Sequence, residues 1–197
     1  SLDVEITGRV EPDSKVTVNN IPAKVTHDIF KTEETKIALK PGKNTVTVMA
    51  VDAAGNGATV TKEILVYKRM TIQLTIDNKE PIIDDEKQPP LEAAPFISGG
   101  RTMVPVRFIA EAYGAQVDYD STTKGITITL DETVIAMQVG VNTAYVNGKA
   151  YTIDAPPVIV NGRTFVPIRF ISEMFNATVT YDVATRTVTI VRDFLPK

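Results

Sequence analysis

The chain has 197 residues, of which 43% are hydrophobic and 23% are charged, and its net charge at neutral pH is −3. These proportions are typical of a folded globular protein with one or two domains, and they argue against intrinsic disorder. A slightly acidic chain without a basic cluster excludes nucleic acid as an expected partner, the absence of cysteine excludes disulfides and thiolate metal sites, and no apolar run approaches the roughly 18 residues of a membrane span.

The first 68 residues alternate apolar and polar side chains in short runs that end at turn residues. Val16/Val18 and Val46/Val48 each place two apolar side chains on one face, a pattern typical of an all-β sandwich. Residues 41–56, which read PGKNTVTVMAVDAAGN, resemble bacterial immunoglobulin-like modules of exported proteins. The resemblance implies a β-sandwich over residues 1–68 that serves as a spacer.

The remaining residues, 69–197, contain one stretch twice. Residues 100–111 read GRTMVPVRFIAE and residues 162–173 read GRTFVPIRFISE, so the matched positions in this stretch are 62 apart. Such a duplication predicts a repeated structural unit, which we place at about residues 70–131 (the first copy) and 132–193 (the second copy). The junction at residues 69–71 lacks the composition of a flexible linker, which predicts a rigid end-to-end arrangement of the two domains.

Each copy is expected to contain an alternating strand, a strand pair, a short strand, a helix and a closing hairpin. Asn147-Gly148 predicts a type I′ turn in the second copy, and we expect a different turn at Asp84-Asp85 in the first. Proline at 105 and 167 fits the first helical position, and Gly114 and Asn176 fit helix ends. The whole chain is therefore predicted to be mainly β, with the second domain an α+β domain whose two copies each wrap an antiparallel sheet around one short helix.

The repeated string GRTxVPxRFIxE, followed by AxVxYDxxT in both copies, resembles the bacterial stalk domain, which is named after the N-terminal domain of copper amine oxidases. The resemblance covers about residues 70–190. It implies a non-catalytic module of proteins exported by Gram-positive bacteria. No cofactor is expected, because copper sites need imidazole or thiolate ligands, and the chain has one histidine and no cysteine.

Six charged residues of the repeated stretch are the candidate interaction residues. Two pairs four residues apart can meet on one helix face, either as surface ion pairs or as an anion site near the helix start. The arginine after each glycine can alternatively anchor its loop by bonding backbone carbonyls. The candidates are Arg101, Arg107, Glu111, Arg163, Arg169 and Glu173.

For the other polar residues, a surface or structural role is favoured over a catalytic or metal-binding one. His27 lacks a nucleophile or a second ligand nearby, so we expect it in a surface loop. Asp118 and Asp120 could form a glycosidase-like carboxylate pair, but the second copy does not repeat it, which favours a solvated strand face. The acidic stretch Asp84-Asp85-Glu86, with Asp77 and Glu80 nearby, lacks the ligand spacing of a calcium loop.

The residues and the two resemblances together imply a non-enzymatic segment of a longer exported protein that spaces or presents neighbouring domains, or contacts another surface protein. The alternative is a module that binds cell-wall glycan or another polysaccharide. Such a module would stack sugars on exposed tyrosines or hold them in an arginine-lined groove, whereas the alternation assigns most tyrosines of the repeats to the core. The tyrosines concerned are Tyr113, Tyr119, Tyr145, Tyr151 and Tyr181.

Overall fold

The computed structural model describes residues 2–32 and 36–196, and these residues form many short antiparallel strands and two short helices. The mainly β class predicted from the sequence is confirmed. By internal contacts the chain divides into two compact units, one formed by Ser1–Lys68 with Phe194–Lys197 and the other by Arg69–Asp193. We call them the N-terminal unit and the repeat unit.

The N-terminal unit contains a two-stranded sheet and a six-stranded sheet around one hydrophobic core. The pair β1-β6 forms the small sheet, and the larger one has the order β2-β5-β4-β3-β7-β8. Val16, Phe30 and Leu39 are among the buried side chains of the shared core. The strands are β1 (Leu2–Val4), β2 (Thr7–Arg9), β3 (Lys15–Val18), β4 (Ile21–Thr26), β5 (Ile29–Lys31), β6 (Ile37–Leu39), β7 (Gly42–Val51) and β8 (Gly57–Val66).

His27 lies in the short turn between β4 and β5, where its backbone φ is 57° and its side chain is exposed. The prediction of a surface loop at this residue is confirmed.

Each copy of the repeat unit contains the predicted elements in order, with one further short strand that pairs with the strand leading into the helix. The first copy has β9 (Lys68–Thr75), β10 (Ile82–Ile83), β11 (Glu86–Lys87), β12 (Phe96–Ser98), β13 (Arg101–Pro105), α1 (Val106–Tyr113), β14 (Gln116–Asp120) and β15 (Gly125–Leu130). The second copy has β16 (Thr133–Gln138), β17 (Thr143–Val146), β18 (Lys149–Thr152), β19 (Val158–Val160), β20 (Arg163–Pro167), α2 (Ile168–Met174), β21 (Ala177–Asp182) and β22 (Thr187–Phe194).

The strands of the two copies are interleaved rather than kept in separate sheets. One five-stranded sheet has the order β11-β10-β9-β22-β21, and the other has the order β14-β15-β16-β17-β18. Each sheet therefore joins the opening strands of one copy to the closing hairpin of the other. This exchange of strands was not predicted from the sequence, and it arises because the last strand of the first copy turns directly into β16 and pairs with it along its whole length.

A four-stranded sheet of order β12-β13-β20-β19 lies where the two repeated stretches meet. Strands β13 and β20 run antiparallel, with Val104 opposite Val166 at the middle of their contact. The flanking pairs are Met103 with Pro167 and Pro105 with Phe165. Because Val104 and Val166 are equivalent positions of the two copies, a pseudo-twofold axis passes between them.

Both helices begin directly after the repeated proline. Pro105 and Pro167 keep extended backbone angles and act as N-caps, so the expectation that proline is the first helical residue was wrong by one position. Gly114 ends the first helix with φ 71°, and Asn176 follows the second with φ 57°, which confirms the predicted left-handed ends. The buried helix positions are Val106, Ile109, Ala110 and Tyr113 in α1 and Ile168, Ile171 and Ser172 in α2.

The turn at Asp84-Asp85 has the same form as the turn at Asn147-Gly148. All four residues have positive φ, so the expectation of a different turn in the first copy was wrong. The Asp84 carboxylate accepts a hydrogen bond from the Thr71 N–H at 2.8 Å, as the Asn147 side-chain oxygen accepts one from the Val134 N–H at 2.8 Å. Aspartate and asparagine can both occupy this turn position, because each has a short side chain with an oxygen that accepts the backbone hydrogen bond.

Candidate functional site

The arginine that follows each repeated glycine forms an ion pair with the other copy. The Arg101 Nε and Nη2 atoms donate to Oδ2 of Asp154 at 2.9 and 2.6 Å, and its Nη1 donates to the Gly100 carbonyl at 3.3 Å. Arg163 forms the equivalent ion pair, from its Nε atom to Oε2 of Glu92 in the first copy. The two ion pairs are related by the pseudo-twofold axis, so these arginines link the copies.

Sequence reasoning missed the two carboxylates that receive these arginines. Glu92 and Asp154 are 62 positions apart, the same separation as the repeated arginines, and this repetition of charge was the signal that could have found them.

The other four candidates lie exposed on the two helices. Arg107 and Glu111 on α1, like Arg169 and Glu173 on α2, make no ion pair within 4 Å in the described part of the chain. The spacing of four residues places each pair on one side of its helix. Both arginine side chains are therefore available to a partner.

Arg107 and Glu111 stand at a groove of about 520 Å³, which we call the helix groove. The half-buried ring of Phe108 lines this groove together with the segment from Gln88 to Glu92. The Gln88 side chain points back along its own segment and donates to the Glu86 carbonyl at 3.1 Å. The groove is large enough to accept a side chain or a small ligand.

Aromatic packing covers the corresponding helix face in the second copy. The Tyr151 ring lies against Phe170, which is equivalent to Phe108, with 6.3 Å between the ring centroids. The Lys149 ammonium lies 5.4 Å from the centroid of the same tyrosine ring. This difference could not be predicted from the repeat, since the simple offset of 62 aligns Tyr151 with Pro89 rather than with Gln88.

A smaller cleft of about 130 Å³ brings together two candidate arginines from different copies, Arg101 and Arg169, beside Tyr181. Pockets that bind small molecules usually enclose about 300 Å³ or more. The cleft can therefore hold a few waters or an anion, whereas a sugar ring would extend outside it.

Asp120 and Asp182 occupy equivalent positions and both stabilise loops. The pKa of Asp120 is lowered by hydrogen bonds from the Thr123 hydroxyl and from the backbone N–H groups of Thr122 and Thr123. The pKa of Asp182 is lowered by the backbone N–H groups of Ala184 and Thr185. Ionised and bound to their own loops, these carboxylates are poor candidates for proton transfer, and Asp118 is exposed as expected for a solvated strand face.

No group of three or more histidine, cysteine, aspartate or glutamate side chains is placed to hold a metal ion within residues 2–32 and 36–196. In the same ranges, none of the helices combines the length and the apolar character needed to cross a membrane. The acidic residues Asp84, Asp85 and Glu86 lie exposed at a hairpin turn.

The tyrosines of the repeats are less buried than the alternation predicted. Tyr113 is buried, and its hydroxyl donates to the Ser172 Oγ atom at 3.0 Å. Tyr119 and Tyr145 are 45% and 49% exposed. They lie on opposite faces of their sheet, because Tyr119 is in register with Ile126 and Met137 while Tyr145 pairs with the neighbouring Ala136.

Comparison with known proteins gives matches over both units. The family model of the copper amine oxidase N-terminal domain matches residues 50–123 and 82–190, and the model of glucodextranase domain B matches residues 3–67. A protease inhibitor of Brevibacillus choshinensis is 35% identical over 102 residues, which is 51% of this chain and 30% of that protein. A primary amine oxidase of Klebsiella aerogenes is 31% identical over 75 residues, or 38% of this chain and 10% of the relative. The chain thus spans less than a third of the length of either relative.

Proposed function

The chain belongs to the copper amine oxidase N-terminal domain family, and from this premise we propose that it is a non-catalytic accessory module of a longer exported protein. In this role it holds neighbouring domains at a fixed spacing and offers surfaces for contact with other surface proteins. By the same resemblance, the parent protein would be exported by a Gram-positive bacterium. Residues 1–68 would act as an immunoglobulin-like spacer, a role supported by two sheets enclosing one core.

The observation that carries the proposal is the sharing of strands between the copies. Neither five-stranded sheet can separate into copies without breaking a complete strand pair, such as the six-residue register between β15 and β16. The ion pairs Arg101–Asp154 and Arg163–Glu92 join the copies a second time. A domain connected in this way resists deformation as one body, which suits a spacer better than a reactive cleft.

The alternative function, binding of cell-wall glycan or polysaccharide, has weaker support. Stacking on a sugar chain needs aromatic rings that share one surface, whereas Tyr119 and Tyr145 lie on opposite faces of their sheet. The cleft at Arg101 and Arg169 is small for a sugar ring. We therefore place the spacer function first.

Mechanical unfolding of single molecules of the full chain tests the spacer function. We expect residues 69–193 to unfold in one event that releases on the order of 40 nm of extended chain. Two successive events of about half that length would mean that the copies yield independently, and would contradict the proposal.

Co-sedimentation with Gram-positive cell-wall sacculi tests the alternative. The spacer function predicts no saturable binding by the full chain. Saturable binding that is weakened by Arg169→Ala, with Arg186→Ala as the control at an arginine outside the cleft, would favour the glycan function instead. Arg186 pairs with Asp77 at 2.9 Å, away from the residues that line the cleft.

A further inference from the structure

The two copies treat one repeated phenylalanine differently. In the second copy, Phe170 packs against Tyr151, and the Lys149 ammonium lies over the tyrosine ring. The tyrosine ring thus contacts both an aromatic ring and a cation, an arrangement that favours a ring with a negative π face. In the first copy, the equivalent Phe108 lines the open helix groove.

Backbone hydrogen bonds identify the residue that takes the place of Tyr151. The Asp84 N–H donates to the Thr71 carbonyl, as the Asn147 N–H donates to the Val134 carbonyl, each at 2.9 Å. The opening strands and their hairpins are therefore equivalent at a separation of 63 positions (147 − 84 and 134 − 71), one more than in the repeated stretch. In this register Gln88 is the equivalent of Tyr151, and the extra residue of the first copy falls in Pro89-Pro90.

Replacement of the tyrosine by Gln88 leaves the groove open. Because the Gln88 amide bonds back to the Glu86 carbonyl, its side chain does not cover Phe108 as Tyr151 covers Phe170. Pro89 and Pro90, which are exposed, and the buried Leu91 also line the groove. The groove thus has the phenylalanine that contacts an aromatic ring in the second copy, and among the described residues that line the groove Phe108 alone is aromatic.

The charge beside the groove is reversed as well. In the register of 63, the turn residues Asn147, Gly148 and Lys149 correspond to Asp84, Asp85 and Glu86. Glu86 therefore stands where the second copy has the cation that covers the tyrosine ring. Its exposed carboxylate, two positions before Gln88, complements a positively charged ligand, so a ligand that reproduces the arrangement in the second copy must bring its own cation.

We propose that the helix groove binds an exposed segment of a partner protein, in which an aromatic side chain lies on Phe108 and a neighbouring lysine or arginine faces Glu86. The pattern of the ligand is that of Lys149-Ala150-Tyr151, where the cation and the ring lie two positions apart on one strand face. The inference rests on the proposed role as an interaction module and gives the chemistry of the partner. Arg107 and Glu111 at the rim remain available for polar contacts with the same segment.

Titration of the isotope-labelled full chain with a peptide of residues 147–153, followed by NMR, tests the proposal. We expect the largest backbone amide shifts at Gln88, Leu91 and Phe108. A peptide with Tyr151→Ala should bind about tenfold more weakly, and a peptide with Lys149→Glu should also lose affinity. Equal shifts with all three peptides, or shifts mapped elsewhere, would overturn the proposal.

Variants of the protein provide the matched control. Gln88→Tyr puts the residue of the second copy into the groove and should abolish binding of the peptide without lowering the melting temperature, whereas Gln88→Ala keeps the groove open and should retain binding. Undiminished binding by Gln88→Tyr would overturn the proposal.

Binding of either of two other occupants in the helix groove would also overturn the proposal. One is a second copy of the chain, recognised as concentration-dependent dimerisation in sedimentation that Gln88→Tyr abolishes. The other is a cell-wall oligosaccharide that shifts the groove amides when the peptide does not. In all these cases single-event unfolding of residues 69–193 would still support the spacer function, so failure of the two proposals can be distinguished.

Discussion

A single buried hydrogen bond shows how the two copies have become different. The Tyr113 hydroxyl donates to Ser172, and the Tyr113 ring meets Phe175 edge to face at 5.8 Å. Phe175 is the equivalent of Tyr113, and Ala110 is the equivalent of Ser172. The polar pair on one side of the axis is therefore replaced by an apolar pair on the other, and neither side leaves a buried polar atom without a partner.

This exchange predicts strong coupling between the two polar residues. Ser172→Ala should destabilise the protein by about 1–3 kcal/mol, because it leaves the buried tyrosine hydroxyl unpaired. The double variant Tyr113→Phe/Ser172→Ala should come back close to the wild-type stability, because it copies the native pair of Phe175 and Ala110. Urea unfolding of the two single variants and the double variant measures the coupling, and simple additivity would contradict the prediction.

The loop aspartates predict a response to acid. The folded protein lowers the pKa of Asp182 below its ordinary value of 3.8 through hydrogen bonds to the ionised carboxylate. Its contribution to stability is thus present above pH 3.8 and is lost as the pH falls through the lower, folded-state pKa. In Asp182→Asn, the difference in melting temperature between neutral and acid solution should shrink. Asp120→Asn should act in the same way in the first copy, and an unchanged acid response in both variants would contradict this explanation.

At the scale of elements, each helix depends on the sheets for its stability. Helix α2 has seven residues and no side-chain cap, so it is too short to be stable alone. Ile171 is fully buried, and Ile171→Ala should cost about 2–5 kcal/mol of the free energy of unfolding. Glu173→Ala, at an exposed position of the same helix, is the matched control and should change the stability little. Chemical denaturation measures both, and a near-neutral Ile171→Ala would mean that packing of this helix does not hold the domain together.

The helices and their ends could be predicted from the sequence because their signals are local. Apolar residues recur along one helical face, and Gly114 and Asn176 mark the ends. Pairing of strands between copies could not be predicted from alternation alone. Alternation indicates which face of a strand is buried, but it does not determine which other strand lies beside it. One local signal was available: Asp131-Glu132 forms a two-residue turn between Leu130 and Thr133, which are paired, and it lies at the boundary assumed between the copies.

The candidate site could be predicted in part for the same reason. The repeated arginines were visible as a duplication, and Arg101 and Arg163 proved to join the copies. The helix groove depends on a change of register from 62 to 63 positions between the repeated stretch and the preceding hairpin. That change becomes visible only once the hydrogen bonds of Asp84 and Asn147 align the two turns.

For the whole repeat unit, interleaving joins the two ends of its chain as well as the two copies. Strands β9 and β22 are neighbours in one sheet, and the Arg69 guanidinium binds the Asp193 carboxylate with two hydrogen bonds of 2.8 and 2.9 Å. The pKa of Asp193 is lowered by this partner. The first and last strands of the unit are therefore held side by side, far from each other in sequence.

The interleaving predicts that neither copy folds alone and that the two fold together. A fragment of residues 69–131 lacks β22 and β16, which are the neighbours of β9 and β15 from the other copy, and a fragment of residues 132–193 lacks β15 and β9, which are the neighbours of β16 and β22. Each fragment alone should give a poorly dispersed NMR spectrum, because edge strands and apolar faces are left uncovered. An equimolar mixture should recover the dispersion of the intact protein, since every strand then regains its neighbour.

Arg101→Glu in the first fragment should weaken this association, and Asp154→Arg in the second should restore part of it by reversing the ion pair. A single fragment that folds cooperatively without the other would show that strand sharing is not what holds the copies together.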